Sequence, residues 1–417
     1  LRQKPGLRLT HAVAEIVPVD ADPALAERLQ VRRGQALLLL EETLYDEGEQ
    51  KALETEAGSG PYTVVEWTSG ERVRAEAVPN HWRVNQKLKE FHIVQISEVS
   101  AKIAALKAGE VHLAALPVRF LKETQASIPG SRLQMLGKAQ SQLISFAGNY
   151  WAKTDENGNP IQQPRPGFKP DDQHPWIGDP NDPVRMERAR KVRLAMSMAI
   201  DREAINRQVF TGLGRVAYTH IDVPVNHPRF KQEWIVPFDV AQAKKLLAEA
   251  GYPNGFKLSM WVPPDNTAAV DPEVGETVAQ MWRDNLGLDV TVEKTAYAAR
   301  RPTLVARSID IPWQHHTFHP TLDEPKGTVF VPSQGFNLGI EVPDEIVALR
   351  WANNTEPDFE KRVKNNEMIQ DFLTQWALVA VVVEMQPYWV VRPEVVEWKP
   401  HQQAWSVFNS PETIVMR

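Results

Sequence analysis

Cysteine is absent from the 417 residues. Disulfides, thiol nucleophiles and cysteine-based zinc sites are thereby excluded. No apolar stretch approaches the ~18 residues of a membrane-spanning helix. The longest pure run, Ala377 to Val383, has the length of a buried strand. Neither a signal peptide nor a lipid-attachment cysteine is visible. Long basic runs are lacking, and 47 basic against 53 acidic residues leave a net charge of −6. That balance argues against a general nucleic-acid binder. Enzyme signatures are missing too: there is no G-x-S-x-G, no H-E-x-x-H and no Walker phosphate loop.

What is present is a chain too long for one ordinary core, so two or three compact units are expected. Hydrophobic content of 42% and charged content of 24% are those of a soluble globular protein. The 32 prolines fit many rigid loops and crossings between lobes. The 13 tryptophans fit a large core or an aromatic-lined pocket, with core the plainer reading for most of them.

Residues 186–214 write two helices end to end. Val192, Ala195, Met196 and Ala199 recur at helical spacing and make one apolar stripe. Arg188, Arg190, Lys191 and Arg193 are expected on the remaining surface. Asp201 caps the second helix, Glu203 favours its N-terminus, and Gly212 and Gly214 are expected to close it with left-handed turns.

The wording of this stretch, RKVRLAMSMAIDREAINRQVFTGLG, resembles the "R-x-A-x-x-x-A-I-D-R-x-x-I…G" segment of the extracytoplasmic solute-binding proteins of family 5. These are the peptide-, nickel- and oligosaccharide-binding subunits of ABC importers. Flanking blocks agree. Gly58 to Tyr62, Glu66-Trp67, Gly70 to Arg72 and Pro79 to Trp82 resemble the family's "GTGPY…W…GE…NPxYW" block. Ala104 to Val111 resembles "AALxxGEVD", with His112 where Asp is usual, and Asp239 to Phe256 is similar to a further block. The resemblance covers roughly residues 58–417.

Residues 7–54 read as strand, short helix from Asp22-Pro23, strand, turn and strand. They resemble the last part of the UTRA effector domain of GntR/HutC-type repressors, in Leu29 to Gly34, Leu37 to Glu42 and Tyr45 to Gly48. The DNA-reading part of such repressors is not written here, so DNA binding is not inherited. Thr55 to Gly58 looks like a seam, from a chimeric or truncated reading frame or from a natural fusion.

The fold class implied is α/β: a two-lobed periplasmic-binding-protein-like fold of the family 5 type, lobe I incomplete, with an N-terminal UTRA-like β-rich fragment. The expected divisions are 1–57 for that fragment and seam, 58–143 for partial lobe I, 144–388 for lobe II and 389–417 for the return to lobe I. Strands are expected at 91–96, 111–116, 142–150, 256–262, 288–293, 309–313, 378–384 and 388–392. Helices alternate with them, and the proline-rich stretch 151–184 is a long loop, either a lid or surface elaboration.

The most unusual local chemistry is WQHHTFHP at 313–320. In the family the loop after this strand enters the ligand cleft, and peptide binders usually carry an Asp there. This chain has Gln314, His315 and His316 instead. Trp313 and Phe318 could stack on a ring, and His315 and His316 could donate to carboxylate, phosphate or hydroxyl groups. The plain alternative is a solvated loop with incidental histidines. Asn149, Tyr150 and Trp151 at the first crossover are the second ligand-binding candidates, and Tyr388 and Trp389 at the return are the third. Core or hinge packing is the alternative for each, and only one of Tyr388 and Trp389 can face the cleft.

The resemblance implies a non-enzymatic, extracytoplasmic, monomeric substrate-binding subunit. It would take a small-molecule or peptide ligand and hand it to an ABC permease, with no nucleic acid, cofactor or metal. A truncated remnant without binding activity and a small-molecule sensor related to UTRA regulators stay open. A metal-dependent hydrolase on His315, His316 and His319 also stays open; it needs a nearby acidic partner.

Overall fold

The computed structural model describes residues 9–20, 36–46, 60–68, 71–82, 87–96, 98–136, 139–155, 158–221, 223–264, 272–318, 322, 330–332, 338–401 and 409–417. The described residues fall into two compact units. One draws on Leu1–Lys102, Glu394–Pro400 and Ser410–Arg417, the other on Ile103–Pro393 and His401–Asn409.

In the first unit, β1 (Leu9–Asp20) and β2 (Ala36–Asp46) form an antiparallel pair. The helix expected from Asp22-Pro23 lies outside the described residues. Strands β3 (Tyr62–Thr68), β4 (Arg72–Ala77) and β5 (Glu90–Val94) make a second antiparallel sheet. Its register, with one shift between Val64 and Glu66, sorts the side chains. Tyr62, Val64, Trp67, Val73, Ala75, Phe91 and Ile93 share one face, because side chains alternate along a strand. Glu66, Arg72, Arg74, Glu76, Glu90 and His92 share the other, in a network of ion pairs.

The second unit begins along α1 (Val99–Ala108), followed by β6 (Leu113–Ala115), α2 (Val118–Ser127) and β7 (Arg132–Met135). Next come β8 (Gln140–Ser145), buried along its whole length, and β9 (Asn149–Tyr150). Helix α3 (Pro183–Met198) starts where Asp182 accepts from the amides of Val184 and Arg185. Its buried stripe is wider than the sequence pattern suggested. Arg193 is fully buried, which corrects the expectation of a surface position. Its guanidinium donates to the carbonyls of Trp376 (2.9 Å) and Trp176 (2.6 Å) and to Asn149 Oδ1 (3.3 Å). Those oxygens offset much of the cost of burying the charge, and burial pushes its pKa down to about 9.

Helix α4 (Arg202–Gln208) is capped by Asp201, whose carboxylate accepts from Ala204 N. Gly212 takes a positive φ of 72° as expected. Gly214 does not. It is glycine because a Cβ there would lie 2.6 Å from Val383 Cγ1 and 2.8 Å from Asn206 Oδ1.

The chain continues through β10 (Arg215–Val216), α5 (Val240–Glu249, capped by Asp239), β11 (Lys257–Trp261), α6 (Pro272–Leu286) and β12 (Asp289–Glu293). Then follow α7 (Tyr297–Val305), β13 (Trp313–Phe318), β14 (Ile340–Glu341), α8 (Asp344–Ala352) and α9 (Phe359–Gln375). Last in this unit are β15 (Val379–Met385) and β16 (Tyr388–Val391). Strands β17 (Val395–Glu397) and β18 (Val415–Met416) pair in the first unit.

Six strands form the main sheet in the order β10-β15-β8-β13-β11-β12. Strand β8 is antiparallel to both neighbours, while β11 runs parallel to β12 and β13. The expected strand at 309–313 and loop after it are corrected: the strand is Trp313–Phe318, in the middle of this sheet. Trp313 stacks on Trp261 at 4.6 Å, and both are buried in the core. Their indole N–H groups donate to the carbonyls of Leu338 and Thr295, so neither polar atom is stranded.

The stretch 151–182 is strapped down. Trp151 Nε1 donates to Gly178 O, Lys153 N donates to Asp344, and Arg165 pairs with Glu341. Gly339 anchors the neighbouring turn with a φ of 80°. A Cβ on it would meet Ala147 Cβ at 2.5 Å and Ile309 Cγ2 at 2.9 Å, inside the core. Gly339→Ala is expected to lower the unfolding free energy by about 2 kcal/mol from overpacking. Urea unfolding followed by tryptophan fluorescence measures it; an unchanged midpoint would refute that packing.

Candidate functional site

A second, smaller sheet in the same unit has the order β6-β16-β7. Two strand pairs follow one another along the same two chain segments, β7 with β16 in this sheet and β8 with β15 in the main sheet. Strands β7 and β16 pair from Arg132↔Val391 to Met135↔Tyr388. Leu136 N then donates to Pro387 O at 2.8 Å. Strands β8 and β15 continue the pairing from Gln140↔Met385 to Ser145↔Val379. Leu136 and Pro387 are both buried at the step between the two sheets. Beside it, Lys122 on α2 donates to Thr211 O at 3.0 Å, and Arg119 on α2 pairs with Glu273 on α6.

The main sheet presents uncharged polar groups at this joint. Gln140 aligns with Met385 and Phe318, Ser141 with Glu384 and Thr317, and Gln142 with Val383 and His316. Gln314 Nε2 donates to Gln142 Oε1 at 3.1 Å, and Gln314 Oε1 accepts from Gly275 N at 3.2 Å. The one buried carboxylate of these rows, Glu384, holds the Arg215 guanidinium at 2.7 and 2.6 Å. Among the described residues, Gln140 Oε1 and Ser141 Oγ are buried without a hydrogen-bond partner.

Two of the sequence candidates lie close to these rows. His315 is buried against Trp313, 4.8 Å between rings, and 5.2 Å from the ring of His316. A buried strand position replaces the solvated loop of the plain reading. Burial holds the His315 pKa well below 6.5, helped by the nearby His316 and His220. Burial alone pushes His316 down to about 4. Both imidazoles are therefore neutral near pH 7. Phe318 pairs through its backbone with Gln140 at the end of the strand. Tyr388 and Trp389 open β16 just past the joint, opposite Met135 and Gln134. The Tyr388 hydroxyl lies 3.7 Å from Met135 Sδ.

Asn149, Tyr150 and Trp151 sit beyond the opposite end of β8. The chain enters that strand from the smaller sheet at Gln140, whereas the sequence reading placed the cleft at the Tyr150 end. All three side chains are buried in packing. Asn149 bridges Phe146 O, Trp176 O and Gly178 N; the Tyr150 hydroxyl donates to Ile309 O at 3.1 Å; Trp151 packs edge-on to Trp376. Sequence reasoning missed Gln140, Ser141 and Glu384. The available signal was polar residues inside strands otherwise apolar on both faces.

Among the described residues, no group of three His, Asp or Glu side chains is placed to hold a metal ion, and His319 lies outside them. Nor, among those residues, is any helix long and apolar enough to cross a membrane.

Comparison with known proteins gives this geometry a context. The model of the bacterial extracellular solute-binding proteins, family 5 Middle, matches residues 8–323. That span takes in most of the segment resembling a UTRA domain. Heme-binding protein A of Haemophilus influenzae is 26% identical over 209 residues, which are 50% of this chain and 31% of that protein. Glutathione-binding protein GsiB of Pectobacterium atrosepticum is 24% identical over 244 residues, 58% of this chain and 39% of that protein. The chain thus matches 31% and 39% of these relatives' lengths. Among solved structures, a dipeptide binding protein from Pseudoalteromonas sp. in complex with Met-Leu superposes with a TM-score of 0.67 at 18% identity, covering 86% of this chain and 64% of that one. NikA from Brucella suis in complex with Fe(III)-EDTA gives 0.64 at 16% identity, covering 86% and 68%. With the family's model matched over most of its length, the chain belongs to the bacterial extracellular solute-binding proteins of family 5.

Proposed function

We propose that this chain is the solute-capturing part of a substrate-binding subunit of an ABC importer, working outside the cytoplasmic membrane as a monomer. The paired segments between the two sheets carry the reading. Solute would bind at its joint, with His315, His316, Tyr388 and Trp389 among the nearby groups. Bending about Leu136 and Pro387 would then present the loaded form to a membrane permease. No bond is made or broken in such a cycle, and nothing in it calls for nucleic acid or a cofactor. Family membership and the dipeptide- and glutathione-binding relatives support this role.

Tryptophan fluorescence and thermal melting in the presence of peptides, oligosaccharides, opine-like compounds and nickel, with and without chelator, provide the test. A saturable shift with one ligand class is expected, since bound ligand raises the melting temperature by mass action. A cooperative melt that no ligand moves would instead identify a folded remnant without binding activity.

A further inference from the structure

We infer that the outer helical layer of the second unit carries a further ligand site, built for a small primary amine with an apolar body. It lies apart from the joint and does not rest on the solute-capturing role. Helices α3, α5 and α9 line a cleft of about 640 Å³, and the segment 233–237 forms its lip. That is the size of an ordinary small-molecule pocket. None of the residues aligned at the joint lines it.

The walls are fixed by contacts within the protein. Trp234 is buried in a small satellite core with Ile221 and Val223, and its indole N–H donates to Asp371 Oδ1 at 2.7 Å. Asp239 N donates to Met198 O at 3.0 Å, which ties the end of the lip to α3. Leu194, Met198, Ile235, Val236 and Leu246 supply the apolar lining. Covering such surface removes it from water, which favours an occupant with an apolar body.

The polar rim selects the head group, because its cations are already engaged. Arg190 gives Nε and Nη2 to Glu187, both at 2.7 Å. Lys231, just before the lip in the chain, gives its ammonium to Asp371 Oδ2 at 2.7 Å. Among the described residues, the side chains of Glu233, Gln242 and Gln375 have no hydrogen bond or ion pair. Glu187, Glu233 and Asp371 set against Arg190 and Lys231 leave one negative charge over, on Glu233. A primary ammonium brings one positive charge and three donors. The Glu233 carboxylate and the amide oxygens of Gln242 and Gln375 are the acceptors that such a head group needs. An anionic head group would face an unpaired carboxylate instead.

Saturation-transfer NMR on the full chain tests this with tryptamine, its neutral analogue tryptophol and its anionic analogue indole-3-acetate. Saturable binding of tryptamine is expected, with weaker binding of tryptophol and none of indole-3-acetate. Glu233→Gln should weaken tryptamine about threefold, the worth of an exposed ion pair. Raising NaCl from about 50 mM to about 500 mM should act in the same direction. Leu194→Trp fills the cleft and should abolish binding. Glu233 is exposed, so its variant should melt as the parent chain does and keeps the test open if Leu194→Trp does not fold. Equal binding of the three indoles would overturn the head group. Tryptamine binding indifferent to both substitutions would overturn the site, and silence from all three probes would overturn the inference. A dimer in sedimentation velocity that either substitution breaks would give the cleft to a second copy and overturn the amine. Each of these results leaves the role at the joint standing.

Discussion

Glu341→Ala is expected to destabilise the second unit by about 3–5 kcal/mol, the range for breaking a buried ion pair from one side. Glu341 has no exposed surface. Its carboxylate accepts from Arg165 Nε at 2.9 Å and Nη2 at 3.1 Å, and from Arg307 Nε at 2.9 Å. Arg307 is itself buried, at a left-handed turn just after α7. Removing the carboxylate strands one buried guanidinium and one partly buried one. It also releases the stretch 151–182 from β14, because Arg165 is one of its anchors. Glu341→Gln keeps an acceptor of the same shape and should lose less. Urea unfolding of the three proteins at pH 7 measures the difference. A loss under about 1 kcal/mol for the alanine variant, the size of an exposed pair, would mean that the triad is hydrated.

Elements with a strong local signal were legible in the sequence. The caps at Asp201 and Asp239, the apolar strand ending near Glu384 and the helix from Pro272 stand where local patterning put them. Features decided by partners distant in the chain were not. Trp313–Phe318 mixes aromatic and polar residues and lacks an aliphatic run. It is a strand because β8 and β11 lie on either side of it, and strand formation depends on such neighbours more than on propensity. Arg193 looked like surface because it is charged. Its acceptors come from positions 149, 176 and 376, which no local pattern links to it. The site shows the same division. The unusual histidines drew attention to β13. The polar start of β8 became meaningful only once the strand pairing placed Gln140 and Ser141 at the joint.

Acid should destabilise the protein well above the range where carboxylates titrate. His316 has an ordinary pKa of 6.5 when unfolded and about 4 when folded, and that of His315 is also lowered. The sign follows from proton binding. Above pH 6.5 both imidazoles are neutral in both states and contribute no slope. Between 6.5 and about 4 the unfolded chain takes up protons that the native state refuses, so stability falls as pH falls. At 1.36 kcal/mol per pH unit, His316 alone removes about 3 kcal/mol across that window. His315 adds a loss in the same direction, with His220 nearby opposing any positive charge on it. Carboxylates with lowered pKa values, such as Glu187 and Glu293, lose their contribution only as pH passes below their ordinary 4.5. The decline from pH 6.5 to 5 therefore belongs chiefly to imidazole. Urea midpoints at pH 7, 6 and 5 should drop for the wild-type chain, and His315→Gln with His316→Gln should flatten much of that drop. Equal slopes in both proteins would show that these rings meet solvent. The same burial that makes the fold acid-sensitive leaves both rings neutral near pH 7, so the unfolding midpoint should hold steady from pH 7 to 8, where neither ring titrates.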